Sequence, residues 1–113
     1  MFEAQLLNKG SVVFSPWMNR RGDNLIVTLD LVDKSSKGQL TVKVFHKNTD
    51  DPGDGVNADA TTTITGDLVG RLSDEWNGLE EMVRYRFEVT KQGSSDWVLF
   101  RMLSPVWFDD AKA

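Results

Sequence analysis

The chain has 113 residues, 40% of them apolar and 27% charged, with no Cys, a single His, and a net charge of −4 from thirteen basic against seventeen acidic side chains. That length supports one hydrophobic core, so residues 1–113 are expected to form a single domain. The missing Cys excludes disulfides, thiolate nucleophiles and Cys-based metal sites. A lone His excludes multi-His metal cages, and a pI near 4.9 argues against binding nucleic acid or an anionic membrane through a basic face.

No cofactor is expected. The first ten residues, MFEAQLLNKG, lack a basic segment followed by an apolar run, so they do not read as a signal peptide. The longest apolar run, Trp97-Val98-Leu99-Phe100, is far shorter than the ~20 residues of a spanning helix. The expected location is the cytoplasm or the interior of a particle.

Taken in chain order, Glu3–Leu7 and Ser11–Phe14 are short strand candidates. Asn24–Val32 alternates strictly, with Leu25, Val27, Leu29 and Leu31 on one face. Gln39–Lys47 repeats the pattern with Leu40, Val42 and Val44 inward, and the short polar join Asp33–Gly38 predicts a hairpin between the two. Ala60–Thr65 is a Thr-rich strand candidate and Asp67–Leu72 a weaker one. Ser73–Gly78 carries the signals of one helical turn: a Ser able to cap, acids near the start and a Gly to stop it.

Val83–Lys91 shows the cleanest alternation, with Val83, Tyr85, Phe87 and Val89 opposite Arg84, Arg86, Glu88 and Thr90. Trp97–Leu103 is apolar on both faces except at Arg101, with Trp97 expected in the core, and Gln92–Asp96 predicts a second hairpin. About seven short strands joined by Gly, Asn, Asp and Ser turns indicate an all-β, antiparallel β-sandwich, immunoglobulin/fibronectin III-like or jelly-roll-like, with a small β-barrel as the alternative. Leu79 followed six residues later by Tyr85 on an alternating strand resembles the tyrosine corner of fibronectin type III and related sandwiches, with Glu81 and Val83 replacing the usual Pro and Thr. The resemblance implies the architecture and no function.

Several stretches are candidate sites. Asp50, Asp51, Asp54, Asn57 and Asp59 crowd one loop as calcium ligands would, but Pro52, Ala58 and Thr61 occupy positions where an EF-hand needs donors, and turn geometry explains the same composition. No metal is therefore assigned. Arg21-Gly22-Asp23 matches a cell-adhesion tripeptide and equally an ordinary turn. His46 shares the inward face of its strand, with no partner evident. Glu80-Glu81 and Asp109-Asp110 are neighbours that point apart on an extended chain, so neither is an acid/base couple.

Trp17 and Trp107 follow Ser-Pro and Ser-Pro-Val strings, where Pro interrupts a strand and places an indole at a sheet end or edge. Residues 50–81 hold nine acids against Arg71 alone, whereas Lys43, Lys47, Arg84, Arg86, Lys91 and Arg101 lie on strands. Charges of opposite sign at two ends of one molecule favour contacts between copies.

These features point to a non-enzymatic structural or interaction module, a self-assembling or decorating subunit of a shell, tail or filament. Its partner would be another protein or copies of itself in a homo-oligomer, reached through Trp17, Arg84, Arg86 and Trp107. The alternative is a carbohydrate-binding module in which Trp17, Trp76 or Trp107 stacks on sugar rings.

Overall fold

A computed structural model describes residues 5–8, 12–59, 61–89 and 96–110. Glu3, Ser11, Ala60, Thr90, Lys91 and the turn 92–95 lie outside the described residues. Among those described there are eleven strands and no helix: β1 Gln5–Asn8, β2 Val12–Phe14, β3 Met18–Asn19, β4 Asn24–Lys34, β5 Leu40–Lys47, β6 Val56–Asn57, β7 Ile64–Gly66, β8 Gly70–Trp76, β9 Met82–Val89, β10 Trp97–Met102 and β11 Val106–Phe108. No helix among them is long and apolar enough to cross a membrane.

All pairings are antiparallel and fall into two packed sheets, so the chain is a β-sandwich and not a closed barrel. In the first sheet β4 pairs β11 along residues 24–26 and β10 along 29–34, while β8 runs beside residues 25–31 and so occupies the opposite edge. β1 completes this sheet against β10. In the second, β9 pairs β5 over its whole length; β2 and β3 flank β9, and β6 and β7 flank β5.

The alternation read from the sequence is the alternation that is buried. Leu25, Val27, Leu29 and Leu31 meet Leu40, Val42, Val44, Val83, Tyr85, Phe87 and Val89 across the sandwich, with Val98, Phe100 and Met102 added by β10. Phe87 and Phe100 carry the packing from one sheet to the other, their ring centroids 5.0 Å apart. Such rings contribute about 0.5–1.5 kcal/mol beyond the area they bury. Tyr85 lies beside Phe87 at 5.9 Å, so the tyrosine singled out by the corner resemblance faces the core.

Four local expectations are corrected. β4 and β5 do not form a hairpin, and neither do β9 and β10, because in each case the chain passes from one sheet to the other. Alternating burial is the same for a hairpin and for such an arch, since both leave every second residue facing the core. At the first crossing the Ser35 N–H donates to the Trp97 carbonyl at 3.0 Å and the Ser35 hydroxyl to Asp96 at 2.9 Å. A Cβ at Gly38 would stand 2.3 Å from that same carbonyl oxygen, so the position requires glycine.

The expected helical turn at Ser73–Gly78 is instead the end of β8, held by seven consecutive register pairs from Leu25↔Trp76 to Leu31↔Gly70. Local capping signals lose there to ladder bonds and to complete burial of Trp76. Trp97, expected in the core, is only half-buried; Trp76 is the core tryptophan.

Candidate interaction surface

The outward face of the second sheet gathers most of the chemistry. Register places Lys43 beside Arg86 and Phe45 beside Arg84, while β2 adds Val12 beside Glu88 and Phe14 beside Arg86. Between Phe14↔Arg86 and Met18↔Val83, three residues on one strand oppose two on the other, which is a bulge. The Ser15-Pro16 pair makes it. The Ser15 N–H donates to the Tyr85 carbonyl at 3.0 Å, the Ser15 hydroxyl accepts the Tyr85 N–H at 2.9 Å, and Pro16 has no N–H to continue the ladder. The extra residue brings Trp17 onto the outer face.

There the Arg84 guanidinium lies 4.0 Å from the Phe14 ring centroid and 4.5 Å from that of Trp17. Phe14 meets Phe45 edge-on at 5.7 Å, and Lys47 Nζ stands 5.0 Å from the Trp17 ring. Arg84 is thus a buried link, its side chain only 13% exposed, and its Nη2 donates to the Asp54 carbonyl at 3.0 Å. The Asp54 carboxylate is 3.9 Å away but 95% exposed, so it adds little.

The loop joining β5 to β6 closes over this stack. Gly55 takes φ +76°, and a Cβ there would fall 2.7 Å from Trp17 Cη2 and 2.8 Å from the His46 carbonyl oxygen. Lys47 Nζ donates to the Gly53 carbonyl at 3.3 Å. The basic strand ends and the acidic loop therefore touch within one molecule, which corrects the expectation of charges separated to two ends. The acids of β8, Asp74 and Glu75, remain exposed on the other sheet.

Of the five residues weighed as calcium ligands, Asp51, Asn57 and Asp59 bond within the loop's own turns. The Asp51 carboxylate accepts the Asn48 N–H at 3.0 Å, and the Asn57 side chain accepts the Asp59 N–H at 3.3 Å. Asp59 accepts the Thr62 hydroxyl at 2.6 Å and the Thr61 hydroxyl at 2.7 Å, and these bonds hold its carboxyl below the usual carboxylate range. Asp50 is exposed in the same loop. Among the described residues no three His, Cys, Asp or Glu side chains are grouped to hold a metal.

His46 has a partner that spacing did not reveal. Its Nδ1 accepts the Glu80 N–H at 3.1 Å, which leaves the proton on Nε2, 3.8 Å from the Glu80 carboxylate. Glu81 turns away and accepts the Thr49 N–H at 2.9 Å, so the two glutamates separate as expected. Asp109 and Asp110 separate too, one accepting the Asp23 N–H at 3.2 Å and the other the Asn24 amide at 2.7 Å. Within Arg21-Gly22-Asp23, Gly22 lies against the Phe108 backbone and Asp23 pairs with Arg20 at 3.5 Å.

Of the four residues expected to make contacts, Trp17 and Arg84 are brought together. Arg86 pairs with Glu88 at 2.9 Å on the same outer face. Trp107 lies apart on β11, opposite the inward-facing Leu25 and packed against the core. Phe14 and Phe45 were missed; their signal was the outward register shared with Arg86 and Arg84. Compared with protein-family models, curated proteins and solved structures, the chain matches none.

Proposed function

We propose that this chain is a non-enzymatic interaction module, a self-assembling or decorating subunit that docks through the outward face of its second sheet. The observation that carries this reading is the Phe14–Arg84–Trp17 stack, continued by Phe45, on a face turned to solvent. Phe14 is 39% exposed and Val12, two residues before it on the same face, 43%, which gives an apolar centre. Lys43 and Arg86 border it as cations.

Aromatic rings and arginine at a centre with charges at its rim are the composition of binding hot spots. The complementary partner is an apolar protein surface bordered by acids, in the first place another copy of this acidic chain. The carbohydrate alternative loses its stacking platforms: Trp76 is fully buried, Trp107 packs on the core, and both Arg84 and Lys47 lie over Trp17.

Sedimentation of the purified protein over a range of concentration and ionic strength tests the reading. Mass is expected to rise with concentration and fall with salt. Phe14→Asp with Lys43→Glu is expected to stop growth beyond the smallest oligomer. A monomer under every condition would overturn self-assembly.

A further inference from the structure

We infer that the free edge of β8 is a second contact, at which two copies pair antiparallel about a two-fold axis through Ser73. This rests on the self-association reading above and adds an interface separate from the aromatic face. β8 is seven residues long, pairs β4 on one side, and is exposed without a break from Arg71 to Glu75. Protein sheets usually blunt such an edge with charged side chains, Lys above all, with Pro, a bulge, a very short strand or an inward-pointing charge. β8 has no Lys, Pro or bulge, and its register with β4 is unbroken over all seven positions. It does carry Arg71, Glu75 and the inward-side Asp74, charges that repel an arbitrary strand and admit one whose own charges complement them.

The sequence of the strand selects a second copy. Antiparallel pairing centred on Ser73 sets Arg71 of each chain opposite Glu75 of the other, giving two cross-strand ion pairs for one interface. It also sets Ser73 opposite Ser73 and, on the inner side, Leu72 of each chain opposite Asp74 of the other. All of Arg71, Ser73 and Glu75 lie on the outer face, in register with Asp30, Thr28 and Ile26 of β4, so the outer faces of the two sheets run on continuously.

Other two-fold registers do worse. Centring on Leu72 leaves Arg71 opposite Ser73 and Glu75 opposite Val69, while centring on Asp74 sets two carboxylates face to face. Asp74 thereby acts against slippage. A closed two-fold contact of this kind is isologous and ends at a dimer, which the aromatic face then links further.

Charge reversal supplies the test. Arg71→Glu alone sets Glu opposite Glu in the homodimer, and Glu75→Arg alone sets Arg opposite Arg, so each variant is expected to lose dimers by at least tenfold in dissociation constant. Mixed together they regain both ion pairs, and the mixture is expected to dimerise as the unaltered protein does. Sedimentation from about 1 µM to about 1 mM reads all three samples.

Because the chain has no Cys, Ser73→Cys gives an independent readout that needs no charge change. Oxidation is expected to trap a disulfide dimer, whereas Thr65→Cys, exposed on β7 of the other sheet, is expected to stay monomeric. If either single variant dimerises as well as the original, or Ser73→Cys fails to cross-link, the β8 contact is wrong while the aromatic face can still account for assembly. If the unaltered protein never associates, both readings fall together.

Discussion

Replacing Arg84 by Met keeps the aliphatic stem packed between the rings and removes the guanidinium, so it isolates what the cation does. The bond to the Asp54 carbonyl joins a charged donor to a neutral acceptor, worth about 1.5–3 kcal/mol. The contacts with Phe14 and Trp17 add about 0.5–1 kcal/mol each. The 95% exposed Asp54 carboxylate adds close to nothing. Against this stands the buried Arg84 Nε, which has no partner among the described residues and whose removal returns about 1 kcal/mol.

The balance is a loss of about 2 kcal/mol, or a fall in Tm of roughly 8 °C or more for a domain of this size. Urea unfolding measures the loss, and amide exchange locates it, with protection expected to drop first at residues 53–57. Asp54→Asn should cost less than about 0.5 kcal/mol. If Arg84→Met costs no more than a surface change, the loop is held by something else. If Asp54→Asn costs as much as Arg84→Met, the ion pair and not the carbonyl and rings is the link.

Tyr85, the chain's single tyrosine, has its phenol pushed up to about 12 by burial from an ordinary value of 10.0, so folding favours the neutral form. Its contribution is intact below pH 10 and is lost as pH rises from 10 towards 12, up to about 3 kcal/mol, and phenolate absorbance in the folded protein should lag that of the unfolded chain; titration at the ordinary value would contradict this. Asp59 is held below its ordinary 3.8, first by the Thr62 hydroxyl and then by Thr61. Its contribution is present above pH 3.8 and fades as pH falls through the lower folded value; Thr62→Val should move the carboxyl NMR titration back towards 3.8, and no movement would reject that bond. Gly55→Ala must adopt a positive φ and displace either Trp17 or the His46 carbonyl, so a loss of more than about 1 kcal/mol is expected in urea unfolding, with a change in tryptophan emission. An unchanged midpoint and spectrum would show that the loop does not lie on Trp17.

What the sequence made legible is the set of faces. Leu25 to Leu31, Leu40 to Val44 and Val83 to Val89 were assigned to the core by alternation alone, and they form it. Which strand pairs with which was not legible, because a turn such as Asp33–Gly38 can close a hairpin or arch between sheets with the same inward residues. β8 was misread for a related reason. Its only fully buried side chain is Trp76, and a strand exposed on both faces from Arg71 to Glu75 gives no alternation to detect.

In the candidate surface, Trp17 and Arg84 were singled out separately, one from a Ser-Pro-Trp string and the other from strand polarity. Their contact depends on a bulge that shifts Trp17 by one position, and bulges leave only Pro and Ser as traces in a sequence. His46–Glu80 crosses 34 residues and rests on a backbone N–H, which no side-chain pattern encodes.

The same arrangement bears on why an acidic loop is folded over basic strand ends. Long side chains on a sheet face are costly to immobilise, about 0.5–1.5 kcal/mol for each one fixed when a partner docks. Here Arg84 is already fixed from three sides, by Phe14, Trp17 and the Asp54 carbonyl, and Lys47 is tied to the Gly53 carbonyl. Both cations are held by carbonyl oxygens, so the loop's exposed carboxylates stay free to face water. A partner settling on Phe14 and Phe45 therefore meets rings whose backing is set before contact, and the ordering cost has been met during folding. On this argument Gly55 matters as much as the aromatic residues, because without it the loop carbonyls cannot reach the cations that hold the rings.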